Sequence, residues 1–154
     1  MQQMSETILD FPLDLWREVI NYLTQYDILQ MLRVCKLWKE NISQIILRWE
    51  SPKGTTSLAF ICSTFPNLEY LLCRASVIDD FAHFHNLQNL RHLDLNYISD
   101  FRQNNTIRYL ASLATLETLR INYPFTPETI TYLTNLQKLH TICFEGSSLL
   151  EIKE

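Results

Sequence analysis

The chain has 154 residues, 47% hydrophobic and 19% charged, enough to bury one continuous core or a small module fused to a repeat array. Its formal net charge of −4 comes without any run of Lys and Arg, which argues against nucleic-acid binding and against a purely electrostatic hold on anionic lipid. No apolar run approaches the ~20 residues that cross a bilayer, and Met1 to Glu6 lack the basic-then-apolar order of a secretory signal, so neither a nucleic-acid nor a membrane partner is expected.

Pro12 opens the first predicted helix, because its missing N–H is an orphan in a first turn anyway. Asp14 follows in that turn, where a negative charge suits the helix dipole. Leu15, Val19 and Leu23 share one face at helical spacing, and Trp16 and Ile20 make an adjacent stripe. Two apolar stripes on one helix predict that one packs inward and the other meets a partner. A second helix is expected from Asp27 to about Arg33, with Asp27 as its cap. A third is expected from near Lys36, past Trp38, toward Ile42. Three helices in so few residues give a core that is marginal alone.

The segment Phe11-Pro12-Leu13-Asp14-Leu15, followed without gaps by Asp27-Ile28-Leu29 and then Val34-Cys35-Lys36-Leu37-Trp38, resembles the F-box. The resemblance covers about Ile8 to Leu47, and the domain is placed at 8–48. Phe11 stands where the family usually has Leu, and Asp14 where it usually has Glu; both keep the chemistry. The resemblance implies docking onto the Skp adaptor of a cullin ubiquitin ligase. Carried over by position, the adaptor-binding residues are Pro12, Leu15, Trp16, Val19, Leu23, Leu29, Val34, Cys35 and Trp38.

Residues 49–154 are internally repetitive. Four segments fit L-x-x-L-x-L with Cys, Ile or Phe for some Leu: Leu68-x-x-Leu71-x-Cys73, Leu90-x-x-Leu93-x-Leu95, Leu116-x-x-Leu119-x-Ile121 and Leu139-x-x-Ile142-x-Phe144. Their starts at 68, 90, 116 and 139 are 22, 26 and 23 residues apart. A weaker copy, Ile42-x-x-Ile45-x-Leu47, overlaps the last helix of the first module. These periods resemble leucine-rich repeats, which implies an α/β fold: a short solenoid with parallel strands on the concave side and helices on the convex side.

Helices between the strands are expected at about Ser57 to Ser63, Val77 to Phe84, Thr106 to Leu113 and Thr126 to Asn135. In the last, Thr126 caps, Pro127 takes the first helical position, and Ile130 and Leu133 point inward. Gly54 with Pro52 marks a turn after the weak first copy. Ser76, Ile98, Pro124 and Ser147 stand where the repeat family usually has Asn or Cys, so a buried Asn ladder is missing. Leu149-Leu150 is the candidate for closing the end of the array.

Strand alternation turns Tyr70, Leu72 and Arg74, then His92, Asp94 and Asn96, then Thr118, Arg120 and Asn122, then Thr141, Cys143 and Glu145 toward the concave face. Strands about 4.8 Å apart bring Asp94 within pairing reach of Arg120. The candidate target-binding residues are Tyr70, Arg74, His92, Asp94, Asn96, Tyr97, Arg120, Asn122 and Tyr123, since aromatic, Arg and Asn side chains suit protein recognition.

The scattered Cys35, Cys62, Cys73 and Cys143 form no C-x-x-C pair, and His83, His85, His92 and His140 lack finger-like spacing with them. No disulfide framework, metal or cofactor is expected, and reduced thiols fit a cytoplasmic or nuclear setting. Cys35 and Cys62 lack a visible activating partner, and a docking module followed by a recognition module describes an adaptor and not an enzyme. The leading expectation is a substrate-recognition subunit of a Skp-cullin-F-box ubiquitin ligase, holding the Skp adaptor, through it the cullin, and an unidentified target protein. The alternative is a non-degradative F-box binding module or decoy, including a viral or bacterial mimic acting in host cytosol.

Overall fold

The computed structural model describes residues 12–50, 57–73, 81–95, 106–121, 127–144 and 150–151. The chain divides into two compact units, Met1–Ile46 and Leu47–Glu154.

In the first unit, α1 spans Leu13–Asn21, α2 Gln25–Met31 and α3 Lys36–Ile45. Pro12 precedes α1, and its carbonyl accepts the Leu15 and Trp16 N–H groups at 3.0 and 3.2 Å. Asp14 lies in the first turn and pairs with Arg17 at 2.9 Å on the surface. The second helix starts two residues earlier than Asp27, and Asp27 does not cap it. Thr24 does: its hydroxyl accepts the Asp27 N–H at 3.2 Å, while the Asp27 carboxylate accepts the Thr24 N–H at 3.0 Å. Thr24-Gln25-Tyr26-Asp27 is thus a capping box, a reciprocal pair that satisfies two orphan donors. Because Thr24 also donates its hydroxyl to that carboxylate at 2.6 Å, the Asp27 carboxyl is held below its ordinary value. Both α1 and α2 pack on α3. Trp16 and Trp38 meet edge-on across the α1–α3 contact, with ring centroids 5.0 Å apart and planes at 76°.

In the second unit the described strands form a six-stranded sheet in chain order. They are β1 (Arg48–Glu50), β2 (Tyr70–Leu72), β3 (His92–Leu95), β4 (Thr118–Ile121), β5 (Thr141–Phe144) and β6 (Leu150–Glu151). The first five are parallel, and β6 turns back antiparallel on β5, covering its edge. The four strong repeats are in register: Tyr70, His92, Thr118 and Thr141 stand side by side. At each strand entrance one carbonyl serves two successive N–H groups of the next repeat. Leu47, Glu69, Arg91 and Glu117 accept in turn from Glu69/Tyr70, Arg91/His92, Glu117/Thr118 and His140/Thr141. Unequal repeat lengths therefore leave the ladder unbroken, because each extra residue falls outside the strands.

The weak repeat at Ile42-x-x-Ile45-x-Leu47 is corrected. Helix α3 continues through Ile45, and the first strand begins at Arg48, opposite Tyr70. Trp49 therefore occupies the column of Leu71, Leu93, Leu119 and Ile142, all buried. It stacks on Phe65 at 4.7 Å and 29°. A Trp at a Leu position hid this strand from the Leu pattern.

The helical layer consists of α4 (Leu58–Thr64), a 3-10 helix (Phe81–Asn86), α5 (Thr106–Leu110) and α6 (Pro127–Leu133), each stacked on the next. Ser57 caps α4 by accepting the Phe60 N–H at 3.1 Å. Three expectations are revised. Val77 to Phe84 is not an α-helix where described, the segment at Thr106 ends at Leu110, and the last helix stops at Leu133. The reason is a spacing of three: Phe84-Leu87-Leu90, Leu110-Leu113-Leu116 and Leu133-Leu136-Leu139. Each later member donates its N–H to the carbonyl three residues back, at 2.9–3.2 Å. Each bond closes a single i→i+3 turn, and the spacing puts Leu87, Leu90, Leu113, Leu116 and Leu136 in the core. Ile130 is also revised: it is 41% exposed, while Leu133 is buried. Residues 77–80, Thr126, Pro52, Gly54, Leu149 and the four positions of the missing Asn ladder (Ser76, Ile98, Pro124, Ser147) lie outside the described residues.

Candidate functional site

Each unit carries one candidate surface. On α1 the two stripes separate. Trp16 is 4% exposed and Ile20 is half-buried, whereas Leu15 is 47% and Val19 38% exposed. Trp16 is thus a correction: it belongs to the core, held there by Trp38, and the face open to a partner is the Leu15–Val19 stripe. Val34 is 61% exposed and Cys35 is exposed, both on the turn before α3. Pro12 is exposed at the entrance to α1, and Leu23, Leu29 and Trp38 are half-buried. Three exposed apolar side chains were missed: Leu13, Tyr22 and Tyr26. Tyr22 continues Leu15 and Val19 at i, i+4, i+7, so the spacing itself held the signal. An exposed cluster of this composition in a small unit is what a docking surface looks like before it is covered.

The second surface is the outer face of the sheet. The Arg48 guanidinium lies over the Tyr70 ring at 4.1 Å, and the Tyr70 and His92 rings are 6.2 Å apart. Arg48 also pairs with Glu50 at 3.0 Å. Asp94 and Arg120, directly opposite each other in the β3–β4 register, pair at 3.8 Å as the strand spacing predicts. The side chains of Tyr70, His92, Asp94 and Arg120 are thus brought onto neighbouring strands. Asp94 and Leu72 sink into the face and are buried, so Leu72 does not line it as an open residue. Arg74, Asn96, Tyr97, Asn122, Tyr123 and Glu145 lie outside the described residues. Arg48 and Glu50 were missed because the weak first repeat was set in the wrong register.

Among the described residues no group of His, Cys, Asp and Glu is arranged to hold a metal ion, and no helix is long and apolar enough to cross a membrane. The four cysteines are free thiols. Burial, and then the neighbouring Cys62 and Asp94, push the Cys73 thiol far up, so it stays protonated.

A small helical unit with an open apolar stripe and a separate solenoid of leucine repeats define a two-part binding protein. The first part has a family: residues 8–50 match the model of the F-box domain. Residues 8–50 are thus an F-box domain, and a solenoid of leucine repeats follows it. F-box domains are adaptor modules, generally non-catalytic. No curated protein matches the chain. Among solved structures, the chain is similar to an internalin (InlF) from Listeria monocytogenes, at 19% identity and a TM-score of 0.29. That match covers 81% of this chain and 56% of the internalin, so this chain spans little more than half of its length.

Proposed function

We propose that the protein is a substrate receptor of a Skp-cullin-F-box ubiquitin ligase. F-box domains generally bind the Skp adaptor, and the observation that carries the reading here is the uncovered stripe of Leu15, Val19 and Tyr22 beside Val34 on the F-box unit. Pro12, Leu15, Val19, Val34 and Cys35 make the contact, with Leu23, Leu29 and Trp38 filling in behind. Trp16 acts by holding α1 in place. The outer face of the sheet holds the target. The mechanism is proximity: tethering raises the effective concentration of target near the ligase, and this chain performs no chemistry. The work is done in the cytosol or nucleus, where the ligase is.

The test is reconstitution. The chain is mixed with a Skp adaptor and cullin, and turnover of co-purified proteins is followed in eukaryotic cytosol with the cullin active or inhibited. The reading requires co-elution with the adaptor and cullin-dependent turnover. Co-elution without turnover would leave a non-degradative module, and absence of co-elution would remove the docking reading.

A further inference from the structure

The sheet face favours a partner of one charge. Among the described residues two ion pairs lie on it, and in each the arginine is the more exposed partner. The Arg48 side chain is 65% exposed against 37% for Glu50. Arg120 is 55% exposed against 9% for Asp94. The pair at the strand entrances, Arg91 with Glu117 at 3.4 Å, repeats the asymmetry at 55% against 29%. By formal count each pair is neutral, and the chain as a whole is acidic. An approaching molecule nonetheless meets more guanidinium than carboxylate surface, most clearly at Arg120, whose partner Asp94 is buried. Arg48 stands on β1 and Arg120 on β4, three strand spacings across and two residues along the strands, or ~16 Å apart. On the strands between them stand the Tyr70 and His92 rings, tilted at 43° to each other, against which aliphatic or aromatic groups can rest.

We infer that the target is bound through an acidic polypeptide segment laid across the strands, its carboxylates meeting Arg120 and Arg48 and its side-chain stems or rings resting on Tyr70 and His92. Arg120 paired with buried Asp94, and Arg48 paired with Glu50 and laid over the Tyr70 ring, are each held in a fixed direction, so they present their remaining donors without losing much rotamer freedom on binding. The segment takes up those donors, and Asp94 and Glu50 keep the arginines anchored. This rests on the reading of the sheet face as the target surface.

The test uses the full chain and two labelled peptides, fluorescein-EEYEEYEE and fluorescein-QQYQQYQQ, followed by fluorescence anisotropy. The acidic peptide should bind about tenfold more tightly at low salt, the effect of two partly screened pairs, and the difference should shrink as salt is raised. Arg48→Gln with Arg120→Gln should abolish the difference. Arg17→Gln with Lys39→Gln removes two cationic charges from the F-box unit and should leave it intact. Equal affinity for the two peptides, no binding of either up to about 1 mM, or an equal loss in the Arg17/Lys39 control would overturn the inference. Adaptor binding is measured on the same samples: its loss would bear on the F-box docking, and the peptide result alone bears on the sheet face.

Discussion

Leu15 and Trp16 are neighbours in sequence and opposites in the fold, which makes truncation of each to Ala a sharp test of how α1 is oriented. Trp16 is almost fully enclosed and meets Trp38 edge-on. Removing its indole takes away a large buried area and leaves a cavity, a loss of ~3–5 kcal/mol. A three-helix unit of this size has little more than that in total, so Trp16→Ala should leave the F-box largely unfolded. Leu15 is half uncovered already. Full burial of a Leu is worth ~1.5–3 kcal/mol, so the covered half is worth ~1 kcal/mol, and solvent fills the space without a cavity. Hydrogen exchange read peptide by peptide separates the units. Amides of α1 to α3 should lose protection in Trp16→Ala and keep it in Leu15→Ala, while those of β2 to β5 stay protected in both. Equal losses, or a larger loss in Leu15→Ala, would mean that α1 is rotated and the docking stripe assigned to the wrong side.

Thr24→Ala removes the capping box of α2 and should cost the F-box ~1 kcal/mol at neutral pH, seen as a lower urea midpoint by far-UV circular dichroism. Because the Asp27 carboxyl is lowered in the folded state, its contribution is present above the ordinary carboxylate value and is lost as pH falls through the lowered one. The gap between Thr24→Ala and the parent should therefore narrow in acid; a gap that widens there would contradict the box. In the repeats, Leu93→Ala should cost ~2–5 kcal/mol, because Leu93 is buried in the column running from Trp49 to Ile142. His92→Ala, one residue away on the outer face, should cost less than ~1 kcal/mol. Similar thermal shifts for the two would refute the alternation of β3.

The strands of the strong repeats were legible because alternation and a period near 23 are written in Leu, which has few other reasons to recur so. The strand register follows directly from those positions. What the Leu pattern could not show was β1, where Trp49 does the work of a Leu and α3 absorbs the Ile-rich stretch that imitated a repeat. The helical layer was placed but drawn too long. A spacing of three in Phe84, Leu87 and Leu90 belongs to successive i→i+3 turns, and a 3.6-residue template reads straight over it. For the candidate docking surface, the two stripes of α1 were visible, yet which faced inward depended on Trp38 arriving from α3. That is a tertiary contact that no local pattern contains.

The most direct measurement is a calorimetric titration of the chain with a Skp adaptor, set beside the same titration of a Leu15→Asp, Val34→Asp variant. A one-to-one complex that the variant loses, with its F-box amides still protected from exchange, is the predicted result. A complex that the variant keeps, or no heat of binding from the parent protein, would contradict the account.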